Sequence, residues 1–241
     1  MEKIKLNIDW LDELLPEGFP LHTSTLVSGP GGSGKPLIGY IFASSYIKQG
    51  GSLIIVLTST TREYVINVMK LFGTDLEEYG DKVFYVELDV DIDGVDEIEK
   101  NWIKANLVKP HVWDEIRKYI HGNEMVVASA LNLLFFSKTY GDAVYEKLRS
   151  IISEDKSTTY FFTINSDAFK EKAEGLESVA DNLMFSRMEK PMKLFLRIAR
   201  MKDVKFLDKE TEVPLTQDIL KSIREEAEKG KKNLIPAISR L

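Results

Sequence analysis

The stretch Gly29-Pro30-Gly31-Gly32-Ser33-Gly34-Lys35-Pro36 carries the residues whose types and spacing could do chemistry. It fits G-x-x-x-x-G-K-[ST] at every position but the last, where proline replaces the hydroxyl residue. In a complete loop of this kind, glycines let backbone N–H groups wrap phosphate oxygens. The lysine reaches the outer phosphates and the hydroxyl holds Mg²⁺. Pro36 has neither a hydroxyl nor an N–H to offer a phosphate, yet proline is well tolerated in a first helical turn. The residues predict a preserved anion cradle, made of Gly29, Gly31, Gly32, Ser33, Gly34, Lys35 and Pro36, from which the metal anchor is gone.

The elements on either side must hold that loop in place. Thr23–Ser28 reads as a short buried strand feeding it. Lys35–Lys48 reads as the helix leaving it, with apolar residues at helical spacing and a stop at Gly50-Gly51. Compact apolar runs predict further strands at 53–57, 82–88, 124–129 and 158–164. Helices are predicted at 9–15, 62–72, 95–107, 111–120, 141–153, 168–174 and 217–229. Two strands, 182–187 and 193–201, flank Glu189-Lys190-Pro191 as an antiparallel hairpin. This alternation implies an α/β fold with a mainly parallel sheet and helices on both faces. With no internal repeat or low-complexity linker, 1–241 reads as one domain. A lead-in segment over 1–22 opens it, and a helix with an apolar tail over 216–241 closes it. The tail, Leu234–Leu241, is expected on its own sheet or in a neighbour's groove.

Composition narrows the function classes. Hydrophobic content of 44% and charged content of 29% are those of a soluble globular chain. No apolar run approaches the roughly 20 residues that span a bilayer, and residues 1–8 do not read as a signal peptide. The absence of cysteine excludes disulfides, thiolate metal sites and a cysteine nucleophile. That absence, with only Gln49 and Gln217 for glutamine and many Lys and Glu, fits a cytoplasmic protein of a hot-growing organism. A net charge of −6 gives no global attraction to nucleic acid.

These landmarks resemble the archaeal RecA/RadA/KaiC-like group of P-loop proteins. Leu11-Asp12-Glu13-Leu14-Leu15-Pro16-Glu17-Gly18-Phe19-Pro20 stands where that group has its L-D-E-L lead-in with glycines and proline. Ala199-Arg200-Met201-Lys202 is similar to its late K-M-R strand. The resemblance covers most of the chain to about residue 215. It implies a RecA-like fold, ATP or ADP as ligand, and assembly into rings or filaments. It also implies where the remaining catalytic groups should stand. The group's Mg²⁺-binding Asp corresponds to Ser129 in Val126-Val127-Ala128-Ser129-Ala130-Leu131, whose neutral hydroxyl does not hold Mg²⁺ as a carboxylate does. The water-activating Glu falls in Leu57-Thr58-Ser59-Thr60-Thr61, with no carboxylate before Glu63 on the next helix. Arg200 and Lys202 align with a strand that in oligomeric relatives reaches a neighbour's phosphates; on a strand edge they also read as plain surface charges.

Metal hydroxyl, metal carboxylate and general base are thus missing at three separate places. Losing a base alone costs on the order of 10²–10⁴ in rate, and losing metal-assisted charge stabilisation compounds it. The expectation is a non-catalytic member with no catalytic or metal-binding residue. Its role would be regulatory, through contact with its own copies or with a protein or peptide partner. The alternative is an ATP-binding or ATP-hydrolysing protein of DNA recombination, repair or signalling. A third option is a sensor that binds ATP or ADP weakly without Mg²⁺ and does not turn it over. At the loop, phosphate binding and a relic whose Lys35 caps the loop's own carbonyls both stand open.

Other constellations are weaker. Asp89-Val90-Asp91-Ile92-Asp93-Gly94 begins like a calcium loop, but its twelfth position is Lys100, so it reads as an acidic solvated connection. His22, His111 and His121 lack metal-ligand spacing, and no G-x-S-x-G elbow supports a serine hydrolase. In the resembling group two loops meet single-stranded DNA. Their counterparts, 136–141 and 165–172, offer Lys138, Tyr140, Phe169, Lys170 and Lys172, mixed with Asp142, Asp167 and Glu171. They read as ordinary loop residues.

Overall fold

The fold is read from a computed structural model that describes residues 2–238, with 230–238 described by backbone alone. In chain order the elements are β1 (Lys3–Ile4), α1 (Asp9–Leu14), β2 (Phe19–Pro20), β3 (Ser24–Gly29), α2 (Lys35–Lys48), β4 (Ser52–Leu57) and α3 (Arg62–Leu71). There follow β5 (Val83–Leu88), β6 (Val95–Glu99), β7 (Trp102–Ala105), α4 (Val112–Ile116), β8 (Glu124–Ala128), α5 (Gly141–Glu154) and β9 (Thr159–Asn165). The chain continues through α6 (Lys170–Val179), β10 (Asn182–Glu189), β11 (Lys193–Arg200), β12 (Glu210–Glu212) and α7 (Gln217–Ile238).

Ten strands form one sheet in the order β12-β11-β10-β3-β9-β8-β4-β5-β7-β6. Pairing is parallel from β10 across to β7 and antiparallel at both ends, where β11, β12 and β6 lie. The central strands are apolar without interruption because both faces are covered. Their side chains alternate between two cores as a pleat requires. Leu53, Ile55 and Leu57 of β4 join one core, under α2 and α3; Ile54 and Val56 join the other, under α4, α5 and α6. Helix α2 is buried all round from Leu37 to Ile47, because the lead-in residues Leu6, Leu11, Leu14 and Phe19 close over its outer side.

Two predicted elements take a different form. The segment 95–107, expected as a helix, is the β6–β7 hairpin turning at Lys100-Asn101. Its Glu- and Lys-rich composition suits a helix, but Ile103 and Ala105 alternate with Trp102 and Lys104, and that period of two puts only one face on the core. Pairing with β5 adds the ladder that settles it. The helix expected over 111–120 is one turn of α-helix continued as a 3₁₀ turn at Arg117–Tyr119. At the end of the chain, α7 runs through Gly230 to Ile238 where the expected helix stopped at 229. The docking expected of the apolar tail lies outside the described residues.

An aromatic cluster fastens the lead-in to the sheet. Phe42 of α2 meets Phe19 edge-on at 5.1 Å between centroids and Phe161 of β9 at 4.8 Å. All three side chains are fully buried. Truncating Phe161 to Ala is expected to cost about 3–5 kcal/mol, measured by urea denaturation at neutral pH. A loss below 1 kcal/mol would show that the lead-in closes independently of this cluster.

Candidate functional site: the glycine loop and the strand ends beside it

The loop leaves β3 at Gly29 and enters α2 at Lys35, so it stands at the C-terminal edge of the sheet. Two of its glycines are required by contact. A Cβ on Gly29 would sit 2.2 Å from the carbonyl oxygen of Ser186 on β10. Gly34 caps α2 in the left-handed region, φ 72°, with Leu194 of β11 2.9 Å from where its Cβ would be. The hairpin β10–β11 is thus packed directly against the loop, and Ser33 Oγ lies 3.1 Å from Ser186 Oγ.

Lys35 turns back on the loop. Its ammonium donates to Gly29 O at 2.9 Å, Pro30 O at 2.6 Å and Ser33 Oγ at 3.1 Å. Burial pushes its pKa down to about 8, offset in part by Asp167 beyond β9. Gly29 O also accepts the Ser166 N–H at 2.9 Å, so one carbonyl joins the loop, the lysine and β9. Inside the loop Ser33 N–H bonds Pro30 O at 3.3 Å. Among the described residues the N–H groups of Gly31, Gly32 and Gly34 have no such bond, which leaves part of an anion cradle open. Pro36 is the second residue of α2 and places ring carbons there.

Ser129 follows β8 directly and is 4% exposed. Its carbonyl oxygen accepts the Thr58 hydroxyl from the end of β4. Thr61 caps α3, accepting Tyr64 N–H at 3.2 Å, and Glu63 is an exposed residue of that helix's first turn. A residue that sequence reasoning missed completes the picture. Tyr40 of α2, 2% exposed, lies in the neighbourhood of Thr60 and Ser129. Burial raises this phenol far above its ordinary pKa, with the two hydroxyls offsetting a part, so it stays neutral. Thr60 Oγ1 itself is buried without a partner in hydrogen-bond geometry. The available signal was spacing: Tyr40 stands four residues after Pro36, on the same helical face.

This set does not fit Mg²⁺. The cation prefers octahedral oxygen ligation, carboxylates foremost, and gives up its waters reluctantly. Pro36, Ser129, Thr58 and Tyr40 supply ring carbons and neutral hydroxyls instead. Among the described residues no group of three His, Cys, Asp or Glu is placed to hold a metal ion.

Arg200 and Lys202 are placed away from the loop. Arg200 donates to the carbonyls of Glu177 and Ala180, the latter at 2.7 Å, and so caps the C-terminus of α6. Lys202 bonds Asp181 at 2.9 Å, beside Lys156 at 2.6 Å. Burial opposes the charge of Asp181, but Lys156, the Ser24 N–H and Lys202 outweigh it and hold the carboxyl below its usual range. In the loops expected near DNA, Lys172 bonds Asp142 at 2.6 Å and lies over the rings of Phe135, Tyr145 and Phe169. Phe136, half exposed, packs edge-on against Phe169. The acidic connection is solvated, with Asp89 bridged to Lys104 and Asp93 to Lys109. An apolar groove of about 420 Å³ lies elsewhere, between Trp10, Ile41, Phe72 and Ile219. It shares no residue with the loop or with these strand ends. No helix among the described residues is long and apolar enough to cross a membrane.

Comparison with known proteins gives a consistent picture. The profile of the family described as "ATPase: KaiC" matches residues 4–226. A circadian clock oscillator protein KaiC of Picosynechococcus is 32% identical over 123 residues, 49% of this chain and 23% of that protein. A UPF0273 protein of Pyrococcus horikoshii is 25% identical over 166 residues, 66% of this chain and 67% of that one. The chain spans less than a quarter of the KaiC protein it first matches. Among solved structures, a KaiC-like protein from Pyrococcus horikoshii superposes with a TM-score of 0.66 at 20% identity, covering 88% of this chain and 94% of that one. The match places the chain in the same RecA-type fold.

The buried lysine makes a pH test. An unfolded lysine titrates near about 10.4 and the folded Lys35 near 8. Between those values the unfolded chain binds more protons, so stability rises with pH there. Relative to a Lys35→Met variant, the wild type is expected to gain on the order of 1 kcal/mol per pH unit from about pH 8 to 10. Urea denaturation across that range reads it, and a constant difference would contradict the buried charge.

Proposed function

The chain belongs to the KaiC family of ATPases, and on that premise we propose that it is a non-hydrolysing member with a regulatory or protein-interaction role. One observation carries this reading. At the strand ends where phosphoryl transfer needs a metal hydroxyl, a metal carboxylate and a base, the chain carries Pro36, Ser129 and the carboxylate-free stretch Thr58–Thr61. Positioning and charge stabilisation supply nearly all the catalysis of that reaction, so the scaffold alone accelerates it little. The scaffold's remaining use is its surface, presented to a second copy or to a protein partner. A homo-oligomer is in keeping with that use. Glycine-loop N–H groups still free for an anion leave room for ATP or ADP held weakly as a signal rather than a substrate.

The test is turnover. With Mg²⁺ and ATP the wild type is expected to release phosphate no faster than a Lys35→Ala variant, both measured with labelled ATP on full-length protein. Release at least about tenfold above that control, a difference of roughly 1.4 kcal/mol in barrier, would overturn the reading in favour of an active ATPase. Salt-sensitive retention on single-stranded DNA would favour a role in recombination or repair.

A further inference from the structure

The groove between the lead-in and the start of α7 has no part in the reading above. Ile8, Trp10, Phe72, Leu215 and Ile219 line it, each only partly buried, around about 420 Å³ of open volume. Apolar side chains gathered this way mark a contact surface, where single exposed ones do not. Lys48 is the one cation on its wall, and its ammonium is turned to Phe72 O at 3.5 Å. Asp9 and Asp218 are chain neighbours of Trp10 and Ile219, each in the first turn of a helix. Neither has an ion pair among the described residues. One segment of the chain has the matching character. Residues 231–241 read Lys-Lys-Asn-Leu-Ile-Pro-Ala-Ile-Ser-Arg-Leu. Leu234, Ala237, Ile238 and Leu241 stand at the i, i+3, i+4 and i+7 spacing of a helix that lays an apolar face in a groove. Lys231, Lys232 and Arg240 flank them with positive charge.

The segment does not reach the groove of its own chain. Helix α7 passes the groove at Ile219, and Glu226, two turns on, accepts the Asn67 side-chain amide of α3 at 2.9 Å. Its helical backbone runs on through Ile238. At the rise of an α-helix, position 234 lies about 22 Å from Ile219 and is directed away from it. We propose that residues 231–241 of one copy occupy this groove on a second copy. Their apolar side chains meet Trp10, Phe72 and Ile219, and the flanking Lys and Arg stand beside Asp9 and Asp218. The inference rests on the protein-interaction reading, and it names the surface and the segment that meet. Segment and groove are different parts of the chain, so the contact is head-to-tail. It closes into a ring only where the rotation between copies allows.

The experiment is light scattering on full-length protein leaving a size-exclusion column. The wild type is expected as a dimer or larger. Leu234→Asp/Ile238→Asp spoils the segment and leaves the groove; Ile219→Lys puts a charge in the groove and leaves the segment. Each variant alone is expected as a monomer, and an equal mixture of the two is expected to pair again, since one intact segment meets one intact groove. A synthetic peptide of residues 229–241 gives a measurement that needs no folded variant. In excess it is expected to shift the wild type to monomer, and to bind the Ile219→Lys variant at least about tenfold more weakly than the segment variant. A monomeric wild type, folded variants that keep the wild-type mass, or a wild-type assembly indifferent to the peptide would overturn the proposal. Phosphate release is read separately. An assembling protein that hydrolyses ATP sinks only the non-hydrolysing reading, and a monomer without turnover sinks only this one.

Discussion

The Lys35 ammonium donates its three protons to the loop that presents it, at Gly29 O, Pro30 O and Ser33 Oγ. A charge buried this far from water is tolerated because each proton has an acceptor. The acceptors are in turn committed to the surrounding strands. Gly29 O also receives the Ser166 N–H after β9, and Ser33 Oγ faces Ser186 on β10. One cation thereby ties together β3, α2, β9 and β10 at the edge of the sheet. An incoming anion meets a lysine already satisfied, and drawing it outward exchanges those bonds for new ones. The net gain from phosphate contact is smaller than the bare arrangement of glycines and lysine suggests.

The changes at the strand ends support one another energetically. An aspartate at position 129, 4% exposed, would need a cation beside it to offset several kcal/mol of lost solvation. Ser129 carries no charge, and its carbonyl oxygen accepts the Thr58 hydroxyl. Pro36 at the start of α2 offers ring carbons, and the ends of β4 and β8 offer neutral hydroxyls. Arg200 and Lys202 follow the same pattern at the far side of β10, where they cap α6 and balance Asp181.

Much of this was legible in the amino-acid order. The glycine loop, the strand before it and the helix after it follow from motif and periodicity, as does the hairpin around Glu189-Lys190-Pro191. The places of Pro36, Ser129 and the carboxylate-free 58–61 stretch could be read because they sit at fixed offsets from strand ends. The segment 95–107 was misread because Glu and Lys favour helices locally, while its pairing with β5 is a long-range fact. Tyr40 was missed because an aromatic in an apolar helix looks like core. Its neighbourhood to Thr60 and Ser129 depends on β4 and β8 lying side by side in the sheet. Packing of Met188 and Leu194 over Gly34 was equally unreadable, since sheet order alone puts β10 and β11 beside the loop.

The β6–β7 hairpin has an effect on the molecule's borders. It ends the sheet on a strand that shows solvent Asp96, Glu97, Ile98 and Glu99. At the opposite border β12 shows Glu210 and Glu212. Unpaired strand margins invite foreign strands to add on, and like charges along them work against it. The carboxylates of Glu99, Glu210 and Glu212 are paired with Arg62, Arg187 and Lys193 of the same chain, so a strand added at either rim would have to accommodate or displace those pairs.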